Sequence, residues 1–318
     1  MSKLILCSGE ALYDFISKER GKNLGDSALF EKRVGGSPLN VAIGLVRLGA
    51  KVGFMTKLST DSFGKGIYNF IKKEGITTDY LTTDNHGKTT LAFVSLMENG
   101  KPDFEFYRED ASDTNLKWED IQKFDFSKLS IFHFGSIAII NGATSETLIR
   151  LFEFLKGKVV TSFDPNVRPN LIDNKLGFLK KIYQIAKEVD ILKMSDDDAR
   201  YIFGTSKIIP IVNRLERRNK VTIITYGKDG SVCFYKDNLF KEKSRKYGEI
   251  IDTTGCGDAY MAGFLYIINE SGISKNSIRN AQIYGTIAAG IVATKYGGAD
   301  SMPYGKELDQ YLREENIQ

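Results

Sequence analysis

The stretch Asp252-Thr253-Thr254-Gly255-Cys256-Gly257-Asp258-Ala259-Tyr260-Met261-Ala262-Gly263-Phe264 joins two glycines, a carboxylate and a run of small and apolar side chains. Gly255 and Gly257 can take positive φ without a Cβ penalty. Alternating right- and left-handed residues would turn the N–H groups of Gly255, Cys256 and Gly257 into one concavity that suits an anion. A helix starting beside it adds its N-terminal dipole. Asp258 would repel a resting phosphate there. It could, however, take the proton of a hydroxyl arriving to attack one. Anion site plus base is what phosphoryl transfer to an alcohol needs. Read alone, the string leaves a second account open, in which Asp258 only N-caps a helix Ala259–Ile268.

Other polar residues fall where strands end, and in an α/β sheet ligands gather beyond the carboxyl ends of strands. Leu4–Ser8 reads as a buried first strand, followed by Gly9, Glu10 and, a little further on, Asp14. Asp14 is placed either to accept hydroxyl hydrogen bonds or to sit as a solvated turn carboxylate. Gly35-Gly36-Ser37-Pro38-Leu39-Asn40 opens a helix, with Ser37 expected as N-cap, Pro38 at the first helical position and Asn40 in the first turn. Leu39, Ala42, Ile43 and Val46 give that helix one apolar face. Val159–Phe163 reads as a strand followed by Asp164-Pro165-Asn166-Val167-Arg168. Arg168 carries a forked permanent charge that suits phosphate or carboxylate. Strands Ile191–Ser195 and Val221–Thr225 run into Asp196-Asp197-Asp198 and Tyr226-Gly227-Lys228-Asp229-Gly230. Thr89–Met97 and Asp103–Tyr107 flank a Gly/Pro turn and read as a hairpin. His133 alternates with bulky apolar residues and reads as a buried structural histidine. Ala281, Tyr284, Ile287, Ala288, Ile291 and Val292 mark an amphipathic helix.

Composition narrows the classes. The chain has 318 residues, 42% hydrophobic and 26% charged, enough for one large α/β domain. A net charge of +4 from mixed signs gives no nucleic-acid footprint. Cys7, Cys233 and Cys256 are odd in number and lack Cys-x-x-Cys spacing, which fits a reducing, cytoplasmic setting. No apolar run approaches membrane-spanning length, and the first one is too short for a signal peptide. Only two histidines are present, so His triads and His metal sites have little material. There is no Walker Gly-x-x-x-x-Gly-Lys-Ser/Thr, and Tyr260 stands where a dinucleotide motif needs its third glycine. Strands alternating with helices along the whole chain argue for a mostly parallel sheet with right-handed crossovers and helices on both faces.

The Asp252–Phe264 string resembles the second signature of the ribokinase-like (PfkB) carbohydrate kinases, with Cys256 where alanine is usual. Gly35-Gly36 through Asn40, Ala42 and Gly49 is similar to that family's first signature, and Asp61-Ser62-Phe63-Gly64 recurs there too. The resemblance covers nearly the whole chain. It implies a single ribokinase-like domain over 1–318, a doubly wound sheet flanked by helices, with a small β-sheet lid from about 12–34 and 89–110. It implies Asp258 as catalytic base and N–H groups of Gly255, Cys256 and Gly257 as anion hole. It places Asp14, Gly35, Gly36, Asn40, Phe106, Arg108 and Arg168 on the sugar. It places Lys193, Ser195, Thr225, Gly227, Gly230, Gly255, Gly257 and Tyr284 on ATP. Asp252 and Thr254, beside the turn Gly297–Pro303, correspond to a monovalent-cation site, with potassium the expected ion. Asp198, one methylene shorter than the family's usual Glu, corresponds to a residue acting on magnesium through water, and its alternative account is an Asp-rich helix start. A homodimer through the lid is the expected assembly.

Within that family, Gly9-Glu10, Phe106-Tyr107-Arg108, His133–Ser136 and Asp164–Arg168 look most like bacterial fructokinases. The expected reaction is ATP-dependent phosphorylation of the 6-hydroxyl of D-fructose. The nearest alternative is a 2-keto-3-deoxygluconate kinase. Those enzymes usually place Tyr-x-Arg on the lid, and Phe106 here lacks the hydroxyl, which favours a neutral sugar. Ribokinase, another sugar kinase of the family, and a non-catalytic sugar- or nucleotide-binding relative complete the alternatives.

Overall fold

The computed structural model describes residues 4–19, 21–96 and 102–315. Its strands are β1 (Leu4–Ser8), β2 (Leu12–Ser17), β3 (Phe30–Gly35), β4 (Val52–Ser59), β5 (Leu81–Asp84), β6 (Leu91–Leu96), β7 (Pro102–Tyr107), β8 (Leu129–Gly135), β9 (Val160–Asp164), β10 (Ile191–Ser195), β11 (Val221–Thr225), β12 (Ser231–Tyr235) and β13 (Asn238–Glu242). Its helices are α1 (Ser37–Arg47), α2 (Ser62–Lys73), α3 (Trp118–Ile121), α4 (Gly142–Leu155), α5 (Lys175–Glu188), α6 (Asp196–Phe203), α7 (Ile208–Arg214), α8 (Cys256–Ser271), α9 (Lys275–Val292) and α10 (Gly305–Glu314).

Nine strands form the main sheet in the order β13-β12-β11-β10-β9-β8-β1-β4-β5. From β5 to β11 neighbours are parallel, and β12 and β13 add an antiparallel edge. Both faces are covered, so the strands are apolar on both sides. Ile5 and Cys7 of β1 point into one core with α1, α2, α8, α9 and α10, while Leu6 points into the other with α4, α5 and α7. Buried Phe132, Phe134 and Phe163 anchor the second core.

Chain order runs outward from β1 through β4 to β5, and in the opposite direction from β8 through β11. The reversal lies between β1 and β8, and the crevice beyond their carboxyl ends is where ligands bind in such sheets. A second sheet, β3-β2-β6-β7, stands over that crevice. It occupies the expected lid segments. The expected hairpin turn falls largely on residues 97–101, outside the described residues.

The β12–β13 hairpin had no strong turn signal. Lys236 and Asp237 both take left-handed φ, 47° and 61°, at its two-residue turn, where Asn-Gly would be the usual sequence.

Candidate active site

Three chain segments bring their functional groups to the β1/β8 crevice. The first is α8, which starts at Gly255 (φ 83°). Asp258 lies at its third position and caps nothing. Its Oδ1 accepts the Ser37 hydroxyl at 2.6 Å and its Oδ2 accepts the Asn40 amide at 2.8 Å. These contacts span 221 and 218 residues, so the N-cap account of Asp258 fails on geometry. Two details of the expected anion nest change. Gly257 is helical, not left-handed, so only Gly255 makes the turn. The Cys256 N–H is donated to the Thr253 carbonyl at 3.2 Å. The N–H groups of Gly257 and Asp258, in the helix's first turn, have no intrahelical acceptor and are the ones open to an anion.

The second segment is the start of α1. Gly36 is its N-cap at φ 111°, a conformation reserved for glycine, and a Cβ there would overlap the Glu10 carbonyl. Ser37 is therefore one position inside the helix and not its cap, with Pro38 next. Its N–H donates to Glu10 Oε1 at 3.1 Å, and Glu10 Oε2 accepts the Ala138 N–H at 3.3 Å. Glu10 is 2% exposed, and burial raises its pKa.

The third segment is the row of strand ends. Lys193 of β10 pairs with Asp164 of β9 at 2.6 Å, both buried. A Cβ on Gly257 would sit 2.9 Å from Lys193 Nζ, so the ammonium lies against the α8 turn. Burial works against the Lys193 charge, but Asp164, with Asp198 and Asp258, outweighs it and raises its pKa. His133 is fully buried against Ser162 at 3.0 Å, and burial with nearby Lys193 pushes it down to about 3, so it is neutral.

Burial also raises the Asp258 pKa, while Ser37, Asn40, Lys193 and Arg168 hold it down. A base above the ordinary carboxylate range is better matched to accepting an alcohol proton near neutral pH. Asp14 is pushed up to about 7, first by burial, with Arg168 opposing and Asp258 and Glu10 reinforcing. Asp14, Arg168 and Asp258 thus share one electrostatic environment. A Cβ on Gly35 would collide with the Asp14 carboxylate, which explains that glycine. Arg168 is steadied by Asn166 Oδ1 at 2.7 Å.

On the lid, Ala92 pairs with Asp14 on one side and Phe106 on the other, so all three share the face toward the crevice. Phe106 packs with Leu12, Ala92 and Ile137. Tyr107 points to the other face and is 63% exposed. It is not lid core. Arg108 folds back to Asp113, 3.5 Å away, and lies within reach of Glu10.

Thr225 closes β11, and Gly227 and Gly230 both take positive φ in the loop after it. Ser195 caps α6, its hydroxyl bonding Asp198 Oδ2 at 2.7 Å and accepting the Asp198 N–H at 3.0 Å. Asp198 Oδ1 accepts the Val167 N–H, so this carboxylate serves the helix start and the turn carrying Arg168. Asp252 accepts the N–H groups of Thr254 (2.9 Å) and Gly297 (3.0 Å), tying the α8 approach to the 297–303 turn. Tyr284 is not brought to this turn. Its ring stacks with Tyr266 of α8, in reach of Asp309, because the helix positions that meet Cys256 on α9 are near Ala289.

Glu10 and Asp164 stand at strand carboxyl ends, where the fold rule points to the site, but neither was given a role of its own from sequence. Ser37 was expected only as a cap.

A doubly wound sheet whose crevice joins an open helix start, a buried carboxylate and an apolar lid suits phosphoryl transfer to a small alcohol. Residues 2–304 match the pfkB family carbohydrate kinase model, and the chain belongs to that family. It is 30% identical to Probable fructokinase-5 of Arabidopsis thaliana over 98% of this chain and 97% of that protein. Its fold is similar to the fructokinase with bound ATP from Xylella fastidiosa, at a TM-score of 0.89 and 25% identity over 99% and 100% of the two chains. It is also similar to an uncharacterized sugar kinase of Pyrococcus horikoshii in complex with ATP, at 0.86 and 29% over 99% and 100%. Among the described residues, no helix is long and apolar enough to cross a membrane.

Proposed function

We propose that this sugar kinase is a fructokinase that transfers the γ-phosphoryl group of ATP to the 6-hydroxyl of D-fructose. The observation that carries the reading is the buried Asp258 carboxylate, gripped through both oxygens beside the free N–H groups of the α8 start. Asp258 takes the sugar hydroxyl proton as the oxygen forms its bond to the γ-phosphorus, and the bond to the ADP oxygen breaks. The Gly257 and Asp258 N–H groups and the Lys193 ammonium stabilise the charge that develops. ATP is assigned to the Thr225–Gly230 and Gly255–Gly257 loops, with Lys193 and Ser195 at its phosphate end. Asp14, Gly35, Gly36, Asn40 and Arg168 are assigned to the sugar, under Phe106.

Charge balance favours a neutral sugar over a keto-acid. Arg168 faces Asp14 and Asp258, and Arg108 faces Asp113 and Glu10, so a substrate carboxylate would meet acidic groups beside either cation, while the buried Nε and Nη2 of Arg108 keep no hydrogen-bond partner among the described residues. The apolar contacts of Phe106 point the same way.

Magnesium fits as a companion of the nucleotide. Among the described residues no three acidic, His or Cys side chains converge on one ion site, and magnesium commonly binds through phosphates, waters and one or two carboxylates. Asp198 would act through water, and the bound ion would neutralise phosphate charge. A monovalent cation is assigned to Asp252 and Thr254, whose loop the Asp252 carboxylate already ties to Gly297. Tyr107 on the lid sheet and Leu29 just before β3 are each 63% exposed, which supports a homodimer through the lid. The free cysteines support a cytoplasmic setting.

The test is coupled ADP release with magnesium-ATP, comparing fructose, 2-keto-3-deoxygluconate, ribose and adenosine, with and without potassium. Turnover mainly on fructose is expected. Preference for the keto-acid would overturn the charge-balance argument, and silence on all sugars would overturn the catalytic reading.

A further inference from the structure

Ser37 has a hydroxyl that the helix start does not use. The N-cap of α1 is Gly36, and no side chain caps that helix end. The Ser37 backbone is held instead from behind, by the Glu10 carboxylate, which also grips the Ala138 N–H. Among the described residues this leaves the hydroxyl one partner, Asp258 Oδ1 at 2.6 Å. Asn40 occupies the other oxygen. An alcohol O–H donating to the catalytic carboxylate is the contact that the acceptor sugar must itself make before transfer.

We propose that the Ser37 hydroxyl is a built-in stand-in for the acceptor alcohol, holding the base until a sugar hydroxyl displaces it and denying that place to water. The inference rests on the kinase reading above. A water in that place would lose its proton to Asp258, form a bond to the γ-phosphorus and release ADP and phosphate, wasting ATP. Ser37 is half-buried and turns about one bond, so an entering hydroxyl can replace it without moving the backbone. Glu10 is the positioning residue that keeps Ser37 aimed.

The charged and titratable groups facing Asp258 are Lys193 from β10, Asp164 from β9, Arg168 from the turn after it, Asp14 from the lid and Cys256 from α8 itself. None of these is altered by Ser37→Ala. The variant therefore isolates the hydroxyl. Two results are expected. Sugar-independent ATP hydrolysis, as a fraction of sugar phosphorylation, rises roughly tenfold, the factor set by losing one competing hydrogen bond. The acidic limb of kcat/KM moves up by roughly one pH unit, because a bond to the charged carboxylate is gone. Ser37→Thr keeps a hydroxyl and restores both. A structural defect alone would move neither the limb nor the hydrolysis fraction.

An unchanged hydrolysis fraction in Ser37→Ala, or the same rise in Ser37→Thr, overturns the proposal. A carboxyl-carbon NMR titration of Asp258 in the sugar-free protein needs no turnover. It must show a raised pKa in Ser37→Ala, and an unchanged value overturns the proposal by itself. Wild-type silence on every sugar, with that pKa raised as expected, overturns the kinase reading instead.

Discussion

Asp258→Asn is the sharpest perturbation of this site, since the structure lets chemistry and folding be separated. Asparagine has the shape of aspartate. Ser37 can accept from the new amide as readily as it donated to the carboxylate. Asn40 can turn its own amide to present Oδ1, which is buried and has no hydrogen-bond partner. The substitution also removes a charge from a position only 6% exposed. Stability at pH 7 should therefore be equal to wild type or slightly higher, because burying an ionised carboxylate is costly. The chemistry has no such compensation, as the amide takes no proton. General-base loss costs on the order of 10²–10⁴ in rate, about 2.7–5.4 kcal/mol at 1.36 kcal/mol per tenfold. Coupled ADP release with saturating ATP and sugar reads the loss, and thermal melting reads the fold. The deficit should shrink as pH falls, because burial raises the Asp258 pKa and wild type then protonates its own base. A variant that melts normally and turns over within roughly tenfold of wild type would remove Asp258 from the role of base.

The sugar KM should fall as pH rises through about 7, the pKa of Asp14, because only the ionised carboxylate accepts sugar hydroxyls; a flat profile of KM against pH would contradict this. The sign for stability is opposite. The folded pKa of Asp14 lies above its ordinary 3.8, so the apo protein is favoured below that value and loses stability as pH rises through about 7, which melting temperatures across that window will show. Lys193→Met leaves Asp164 buried without a cation, with the Asn166 N–H still on its other oxygen, and should cost about 3–5 kcal/mol in denaturant unfolding at pH 8. Adding Asp164→Asn should restore stability but not kcat, since the ammonium beside Gly257 is still missing. Gly230→Ala must hold φ at 92° and its Cβ would overlap the Glu242 carbonyl, so the loop shifts and the ATP KM should rise roughly tenfold, at about 1–2 kcal/mol of strain, with the sugar KM little changed.

The fold was legible because its signals are local. β1 and β11 begin and end where their apolar runs do, and Gly75, at φ 83°, stops the chain just past α2 as a helix-ending glycine should. The lid was legible from two β-rich runs, whereas β12 and β13 were not singled out, their turn being Lys236-Asp237 and not Asn-Gly. The α8 start and its carboxylate were legible from one string, but their local geometry was not. That string allowed Gly257 a left-handed φ; the structure gives it a helical one and sets the Lys193 ammonium against it. Tyr284 carried a helical period and an expected place on ATP, and periodicity cannot say which turn of α9 meets the α8 start.

The choice between base and cap for Asp258 shows where sequence reasoning stops. Both accounts need a carboxylate near a helix start after glycine. They differ only in what the carboxylate touches, and the deciding partners, Ser37 and Asn40, lie at the other end of the chain on α1. α1 and α8 meet because Gly44 has no side chain: a Cβ there would stand 2.6 Å from that of Ala262. The small residues after Asp258 are thus the reason the base is gripped at all. Ala262 lets the two helices close, and their closure delivers a hydroxyl and an amide to the carboxylate. Enlarging Gly44 would then be felt at Asp258 before it was felt in the core.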